Sequence, residues 1–162
     1  MHEAAGRNLR WLVLTALVIL ADQLTKIWAQ SSLTLYNPHE LLGVFNLTLA
    51  YNHGAAFSFL AGAGGWQRWF LAALALVASI VMLVWLYRLK PQEKLQAAAL
   101  ALILGGALGN LVDRLQHGYV IDFLDFHWKT SHFPAFNLAD SAITLGAILI
   151  IFEMLMGNKA DD

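Results

Sequence analysis

Residues 69–87 read WFLAALALVASIVMLVWLY, and this stretch without a charged side chain points directly to the architecture of the chain. Its length is close to the roughly 20 apolar residues that an α-helix needs to cross the hydrocarbon core of a bilayer. Three further stretches of the same kind lie at about 11–29, 95–112 and 138–156. The sequence therefore predicts four transmembrane helices, with two longer loops at about 30–68 and 113–137 on the same side of the membrane.

The composition agrees with a membrane protein, since 59% of the 162 residues are hydrophobic and 13% are charged. Soluble domains carry about 25% charged residues. The absence of Cys excludes disulfides, a thiolate nucleophile and a Cys-based zinc site. A formal net charge of -1 without a long basic run predicts that nucleic acid is not a partner. Apolar or lipidated partners are expected instead.

The basic residues outside the spans predict the orientation of the chain in the membrane. They gather before the first span, in and beside the short loop between the second and third spans, and near the C-terminus. Because cytoplasmic segments carry an excess of Lys and Arg, both termini are expected in the cytoplasm and the two longer loops outside it. The basic residues on the cytoplasmic side are Arg7, Arg10, Arg88, Lys90, Lys94 and Lys159.

The first outward loop contains a segment with a period of two. Phe45, Leu47, Leu49 and Tyr51 alternate with other residues between 44 and 50. Such alternation is typical of a strand. The fold class predicted from the sequence is therefore an all-α membrane protein with four transmembrane helices and a small β-containing extracytoplasmic loop region.

Ionisable residues inside the spans need an explanation, because each costs about 2.5–3.5 kcal/mol on insertion scales. Asp22 and Lys26 lie four residues apart in the first span, which we interpret as retained and not as a cleaved signal peptide, because it exceeds the usual apolar length. They predict an ion pair on one helix face. The alternative is that Asp22 faces the bundle and braces an active site. Glu153 lies close enough to the cytoplasmic end of the fourth span to reach the interface.

The third span ends in the densest polar cluster of any span. Gly105 and Gly109 form a small-xxx-small pair, which by itself indicates close helix packing. Asn110, Asp113 and Arg114 follow at the outer end. Helix packing does not need an amide, a carboxylate and a guanidinium at one depth, so these three residues are predicted to support a functional site.

Two aspartates flank the last loop. Asp122 lies in an apolar Val-Ile-Asp-Phe-Leu setting, and Asp140 lies in the first turn of the fourth span. Asp140 alone has a structural interpretation, with Asn137 as the N-cap of the helix in a capping-box-like pair. That interpretation leaves Asp122 unexplained. Asp125 is expected to be a loop acid at the surface.

The two carboxylates suggest a chemistry if they meet. Two carboxyl groups at a partly dry site cannot both ionise easily, so they share a proton. One then acts as a base toward water while the other acts as an acid, as in aspartic peptidases. Since Asp140 begins a helix, the hypothesis is that Asp140 carries the charge and Asp122 holds the proton.

Five short motifs together resemble one family, the lipoprotein signal peptidases, also called signal peptidase II. The resemblance runs from the first span to the fourth and covers nearly the whole chain, as a single membrane peptidase domain of residues 1–162. The motifs are Asp22-Gln23-x-Thr25-Lys26, Asn52-x-Gly54-x-Ala56-Phe57, Gly105-Gly106-x-x-Gly109-Asn110-x-x-Asp113-Arg114, Gly118-x-Val120-x-Asp122-Phe123 and Phe136-Asn137-x-Ala139-Asp140.

The resemblance implies a function. Members of this family cut prolipoproteins on the amino side of a diacylglyceryl-modified cysteine, at the outer face of the bacterial cytoplasmic (inner) membrane. They use two aspartates, which fall on Asp122 and Asp140, without a metal or cofactor. They are blocked by the cyclic peptide globomycin. Membrane lipid and lipidated prolipoproteins are the implied partners. The residues implied to bind substrate or to support the aspartates are Asp22, Lys26, Asn52, Gly54, Asn110, Asp113, Arg114, Asn137 and Ala139.

Two other classes of protein compete with this interpretation. A small proton- or ion-coupled transporter would also carry Asp, Asn and Arg within its spans. It would need polar groups through the midplane, whereas most of those seen here fall in the outer half of the spans. A structural subunit would use the Gly pairs for helix docking, but would not need Asp122 and Asp140.

Overall fold

Four long helices carry the apolar stretches of the sequence. The computed structural model describes residues 7–55, 59–60 and 62–157, so Ala56, Phe57 and Lys159 of the predictions above lie outside the described residues. Each of the four helices is long and apolar enough to cross a membrane, which confirms the four predicted spans. They are α1 (Leu12–Ser32), which follows a short 3₁₀ helix at Arg7–Trp11, α2 (Trp66–Arg88), α3 (Lys94–Gln116) and α4 (Leu138–Gly157).

Helix α3 is longer than the apolar pattern predicted. It ends at Gln116, whereas the predicted span ended at 112, so Asp113 and Arg114 belong to the helix and not to the following loop. Hydropathy misses this last turn because its side chains are polar. The turn persists because Asp113 is 1% exposed and ion-paired inside the bundle.

Helix α3 contacts each of the other three helices, and its glycines make this possible. A Cβ atom on Gly105 would lie 2.7 Å from Cβ of Val18 in α1, and one on Gly106 would overlap the backbone carbonyl of Ala139 in α4. Only a residue without a side chain allows helices to approach this closely. A Cβ atom on Gly109 would lie 2.6 Å from Oδ2 of Asp22 in α1, so the predicted packing role of Gly105 and Gly109 is confirmed.

A small antiparallel sheet covers one end of the bundle, here called the sheet end. Its strand order is β1-β2-β3-β4, and β2 pairs with β3 in a register that places Ala50 opposite Asp122. The strand predicted from the alternation at 45–51 is confirmed as β2. The strands are β1 (His39–Leu42), β2 (Phe45–Asn52), β3 (Val120–Trp128) and β4 (Ser131–His132).

The sheet rests on the end of α1. Ala29 of α1 packs against Leu49 of β2 and against Ile121 and Phe123 of β3 in one buried cluster. Burial of apolar surface at about 25 cal/mol per Å² favours this docking. The cluster holds the start of β3, and with it Asp122, above the bundle.

Asp125 corrects one prediction. It was expected at the surface, but it is 4% exposed and lies in the middle of β3. Asn46, in the adjacent strand, is buried with it and donates a hydrogen bond to its carboxylate. The hydrogen bond between Asn46 and Asp125 is thus buried between β2 and β3, and the alternation of residues along β2 does not reveal it.

Candidate active site

Asp122 lies at the sheet end, on the strand that faces the helices. It is 2% exposed, and Ala50 of β2 pairs with it. Its carboxylate accepts a hydrogen bond of 2.8 Å from Nδ2 of Asn137, and Asn52 contributes another hydrogen bond. A carboxylate is therefore held in a dry setting by amide donors.

Asp140 lies in the first turn of α4. Its backbone N–H donates to Oδ1 of Asn137 at 2.9 Å, and its own Oδ2 accepts the backbone N–H of Asn137 at 3.3 Å. This reciprocal pair is the predicted capping box, which is confirmed. Nδ2 of Asn110 donates to Oδ1 of Asp140 at 2.8 Å. The helix start thus fixes the direction of the Asp140 carboxylate.

Asn137 brings the two aspartates into one site. Its side chain binds Asp122 through Nδ2 and the N–H of Asp140 through Oδ1. The same Nδ2 group donates to Oδ1 of Asn110 at 3.1 Å, and Asn137 itself is fully buried. The structure therefore places Asp122 and Asp140 on the two sides of one buried amide, although they are separated by a loop in the sequence.

The proton affinity of Asp122 follows from this setting. Burial raises the pKa of Asp122 to about 7, and the negative charge of Asp140 contributes to the rise. The amide hydrogen bonds from Asn52 and Asn137 act in the opposite direction, but they are outweighed. At neutral pH the Asp122 carboxyl is thus close to its midpoint of titration and can either hold or release a proton.

A buried ion cluster lies directly beneath the aspartates. Nζ of Lys26 is 2.8 Å from carboxylate oxygens of both Asp22 and Asp113, and all three side chains are at most 1% exposed. The predicted pair of Asp22 and Lys26 is confirmed. The alternative, a bracing role for Asp22, stays a prediction; the ion pair does not exclude it, because Asp22 also faces the bundle and contacts α4.

The two carboxylates of this cluster hold the backbone beside each aspartate of the site. Asp22 accepts the N–H of Ala139 at 2.9 Å, one residue before Asp140. Asp113 accepts the N–H of Ile121 at 3.0 Å, one residue before Asp122. The ammonium group of Lys26 thus stabilises both of these carboxylates. Lys26 also donates to Oδ1 of Asn110 at 3.0 Å.

Arg114 connects the helices to the loop after β2. It donates to the carbonyl of Gly54 at 3.0 Å and to the carbonyl of Asn110 at 3.3 Å. Within the loop, Oδ1 of Asn52 accepts the N–H of Gly54 at 2.9 Å and its Nδ2 donates to Ala55 at 3.3 Å. Asn52 and Gly54 of the second motif therefore lie beside Arg114 of the third.

A cavity of about 860 Å³ opens beside the site. Its polar end contains Asn52, Asn110, Arg114 and Asp140, whereas Asp122 is not among the residues that line it. The rest of the wall is mostly apolar and runs from the loop before α4 along one side of that helix. The lining residues of this wall include Phe126, Phe133, Pro134, Phe136, Ile143, Leu145 and Ile148.

Sequence reasoning missed two participants in this region. Nε2 of Gln23 donates to Asp113 at 2.9 Å and so completes the ion cluster, although Gln23 was noticed only as a motif residue.

Asp125 accepts hydrogen bonds from Asn46 and Thr48, both at 3.1 Å, and lies 3.0 Å from Nδ1 of His132. Burial alone would raise the pKa of Asp125, but these three donors outweigh burial and lower the pKa below its usual value.

No group of three or more His, Asp and Glu side chains suited to a metal ion is found within residues 7–55, 59–60 and 62–157. The side chains of Asp122 and Asp140 are carboxyl groups, which can accept and donate protons. Asp122 and Asp140 provide two carboxyl groups in unlike surroundings, and such pairs separate the roles of acid and base.

Comparison with known proteins shows the family to which the sequence is similar. The family model for signal peptidase II matches residues 14–156. The chain is 56% identical to the lipoprotein signal peptidase of Shewanella pealeana over 155 residues, which covers 95% of this chain and 91% of that protein. It is 54% identical to the lipoprotein signal peptidase of Ectopseudomonas mendocina, over 94% of this chain and 92% of that protein.

A solved structure shares the fold. A bacterial membrane enzyme determined by the in meso method at 2.3 Å resolution superposes with a TM-score of 0.85. It is 28% identical and the match covers 94% of this chain and 92% of that chain. The helical bundle with its small sheet is therefore an architecture of membrane enzymes.

Proposed function

The chain belongs to the signal peptidase II family, whose members remove signal peptides from prolipoproteins, and we propose that it does so as an aspartic peptidase with Asp122 and Asp140 as catalytic residues. The observation that carries this proposal is the single buried amide of Asn137, which binds both residues, one of which, Asp140, lines the polar end of the cavity. The chain is a multi-pass protein of the bacterial inner membrane, as its family and its four apolar helices indicate.

The proposed reaction begins with a water molecule between the two carboxyl groups. Asp140 is ionised and takes a proton from this water, whose oxygen attacks the scissile carbonyl carbon. Asp122 donates its proton to the carbonyl oxygen, which gives a tetrahedral gem-diol. As this intermediate collapses, Asp140 passes the proton that it took from water to the departing amine, and Asp122 recovers a proton from a gem-diol hydroxyl as the new carboxyl group forms. The surroundings of Asp122 support its role as the acid, because burial within β3 raises its pKa to about 7.

The supporting residues are proposed to keep the pair in this geometry. Lys26 is linked to Asp140 through Asn110, whose Oδ1 accepts from the ammonium and whose Nδ2 donates to the carboxylate. This polarised amide favours the charged form of Asp140. Arg114 and Asn52 line the cavity beside Asp140, where they are placed to hold the substrate backbone.

The proposed substrate is a prolipoprotein cut on the amino side of its diacylglyceryl-modified cysteine. The cavity combines a polar end at Asp140 with a long apolar wall along α4, which suits a peptide bond joined to acyl chains.

Inhibition by globomycin is a prediction from the family. The transporter alternative is not supported, because the comparisons find peptidases and the charged groups buried in the bundle lie near one end of it.

The proposed orientation places the sheet end outside the cytoplasm and both termini inside. Support comes from Arg88 and Lys94, which lie at the opposite end of the bundle, at the end of α2 and the start of α3. Cytoplasmic segments carry such an excess of basic residues. The active site then faces the outer leaflet, where a translocated lipoprotein precursor presents its modified cysteine.

The decisive experiment is cleavage of a purified, lipidated prolipoprotein by the purified protein in detergent micelles. We expect wild-type protein to cut before the lipidated cysteine, and Asp122→Asn and Asp140→Asn to lose at least about a hundredfold in kcat, as expected for removal of a general acid or base. Glu153→Gln, at the other end of α4, is the matched control and keeps its activity. A folded Asp122→Asn or Asp140→Asn protein with near-normal turnover would overturn the assignment.

A further inference from the structure

Asp125 is a buried carboxylate that the proposed chemistry does not use. It receives hydrogen bonds from two strands: Asn46 and Thr48 donate from β2, and Nδ1 of His132 lies 3.0 Å from both of its oxygens on β4. An ionised carboxylate only accepts hydrogen bonds, so Nδ1 of His132 carries the proton. The contact is therefore a charge-assisted bond across the sheet, and the His132 side chain remains about half exposed.

His132 is the last residue before a short segment that leads to α4. β4 contains two residues, and the chain then runs through Phe133, Pro134 and Ala135 to Phe136. The backbone of this segment is bound to β3 at both ends: the N–H of Phe133 donates to the carbonyl of Phe126, and Phe136 exchanges hydrogen bonds with Leu124 and accepts the N–H of Phe123. Pro134 has no N–H to contribute.

The same segment forms a wall of the cavity. Phe133, Pro134, Ala135 and Phe136 all line it, together with Phe126 of β3. The rings of Phe126 and Phe136 stack with centroids 5.9 Å apart, and Phe133 meets Phe136 edge to face at 6.1 Å. The position of these rings sets the width of the apolar part of the cavity next to Asp140.

We propose that the bond between Asp125 and His132 is a latch that holds the segment 133–136 against β3, and that both residues thereby position the aromatic wall that binds the apolar part of the substrate. This proposal rests on the proposed function for the identity of the substrate. Neither residue touches Asp122 or Asp140, so the latch acts on substrate affinity and leaves the chemical step unchanged.

The test uses two substitutions of His132 of nearly equal size. His132→Leu removes the donor, whereas His132→Asn places an amide Nδ2 where Nδ1 of the imidazole was. With a lipidated prolipoprotein as substrate, we expect His132→Leu and Asp125→Asn to raise KM by roughly fivefold to tenfold, the effect of one half-exposed hydrogen bond. kcat stays within about twofold in both variants, and His132→Asn restores a KM close to that of the wild type.

Two further measurements separate the latch from general loss of stability. The double variant Asp125→Asn with His132→Leu should raise KM by less than the product of the two single effects, because both changes act on the same contact. His39→Leu, an exposed histidine on β1, is the matched control and should leave KM unchanged. An unchanged KM in folded His132→Leu, or a loss confined to kcat, would overturn the proposal.

Hydrogen exchange tests the latch without any cleavage. In His132→Leu the amides of Phe133 and Phe136 should exchange faster than in the wild type, and in His132→Asn they should not. If the wild-type protein failed to cut the substrate, the proposed function would be refuted, and the exchange of these two amides would still decide the latch. Equal exchange in the wild type and His132→Leu would refute the latch alone.

Discussion

The side-chain amide of Asn137 donates a hydrogen bond of 2.8 Å to the carboxylate of Asp122, which lies 15 residues earlier in the chain. Its oxygen caps the helix that carries Asp140. One side chain thus performs a structural task, the N-cap of α4, and a positioning task, the orientation of Asp122. The two tasks can be separated by mutation.

Replacement of Asn137 by Ser should separate them. Both variants lose the buried amide bonds to Asn110 and Ile121, but serine is a good N-cap, so Asn137→Ser should be about 1 kcal/mol more stable than Asn137→Ala. Both variants lack the amide donor to Asp122 and should lose roughly tenfold to a hundredfold in kcat. Thermal unfolding and cleavage kinetics measured side by side check this. A Ser variant with full activity would show that the amide bond to Asp122 is dispensable.

The pH dependence of cleavage should report the proton on Asp122. Its pKa is raised to about 7, so the carboxyl is protonated below this pH and ionised above it. If Asp122 donates a proton, kcat should be highest below about pH 7 and should fall by about tenfold per pH unit well above it. Cleavage rates at saturating substrate across this range provide the measurement. A kcat that rises between about pH 7 and pH 9 would contradict the proposed roles.

The raised pKa of Asp122 should also make the stability of the wild type depend on pH in a way that Asp122→Asn lacks. The unfolded chain loses the Asp122 proton near the ordinary aspartate pKa of 3.8, whereas the folded protein keeps it to about 7. Wild-type stability therefore decreases as pH rises between these two values and levels off above them. Asp122→Asn has no proton to lose, so its thermal stability relative to the wild type should increase across this range. A difference that does not change with pH would show that Asp122 ionises freely in the folded protein.

Removal of Lys26 should be more damaging than removal of the whole ion cluster. Lys26→Met leaves Asp22 and Asp113 buried without a counter-charge, which costs about 3–5 kcal/mol. The triple variant with Asp22→Asn and Asp113→Asn leaves no charge within the cluster and should be more stable than the single variant. Thermal unfolding in detergent ranks the three proteins. If the triple variant were the least stable, the cluster would stabilise the fold by more than the cost of burying its charges.

Alanine at Gly106 should displace the start of α4. Its methyl group would overlap the backbone carbonyl of Ala139, beside Asp140, so the helix must move. A displacement of about 1 Å at a catalytic group can cost a hundredfold in rate, and we expect Gly106→Ala to lose at least about tenfold in kcat. Gly43→Ala, in open space at the β1–β2 turn, is the control. Equal activities of the two variants would mean that α4 tolerates the shift.

The four spans, the strand β2 and the capping box of α4 could all be predicted from the amino-acid sequence. Each of these depends on residues that are neighbours along the chain: an apolar run of helical length, a period of two, and Asn137 three residues before Asp140. The ion pair of Asp22 and Lys26 was predicted for the same reason, since residues four apart share a helix face. The resemblance in five motifs named the family, but no local pattern showed how the motifs meet.

The three-dimensional arrangement was needed to show which distant residues share one site. It placed Lys26 between carboxylates of α1 and α3, each of which binds the backbone next to one catalytic candidate. It also buried Asp125, which sequence reasoning had left at the surface, because donors from two other strands surround it. Burial and pairing depend on what folds against a residue from elsewhere in the chain, and hydropathy along the sequence contains no record of those partners.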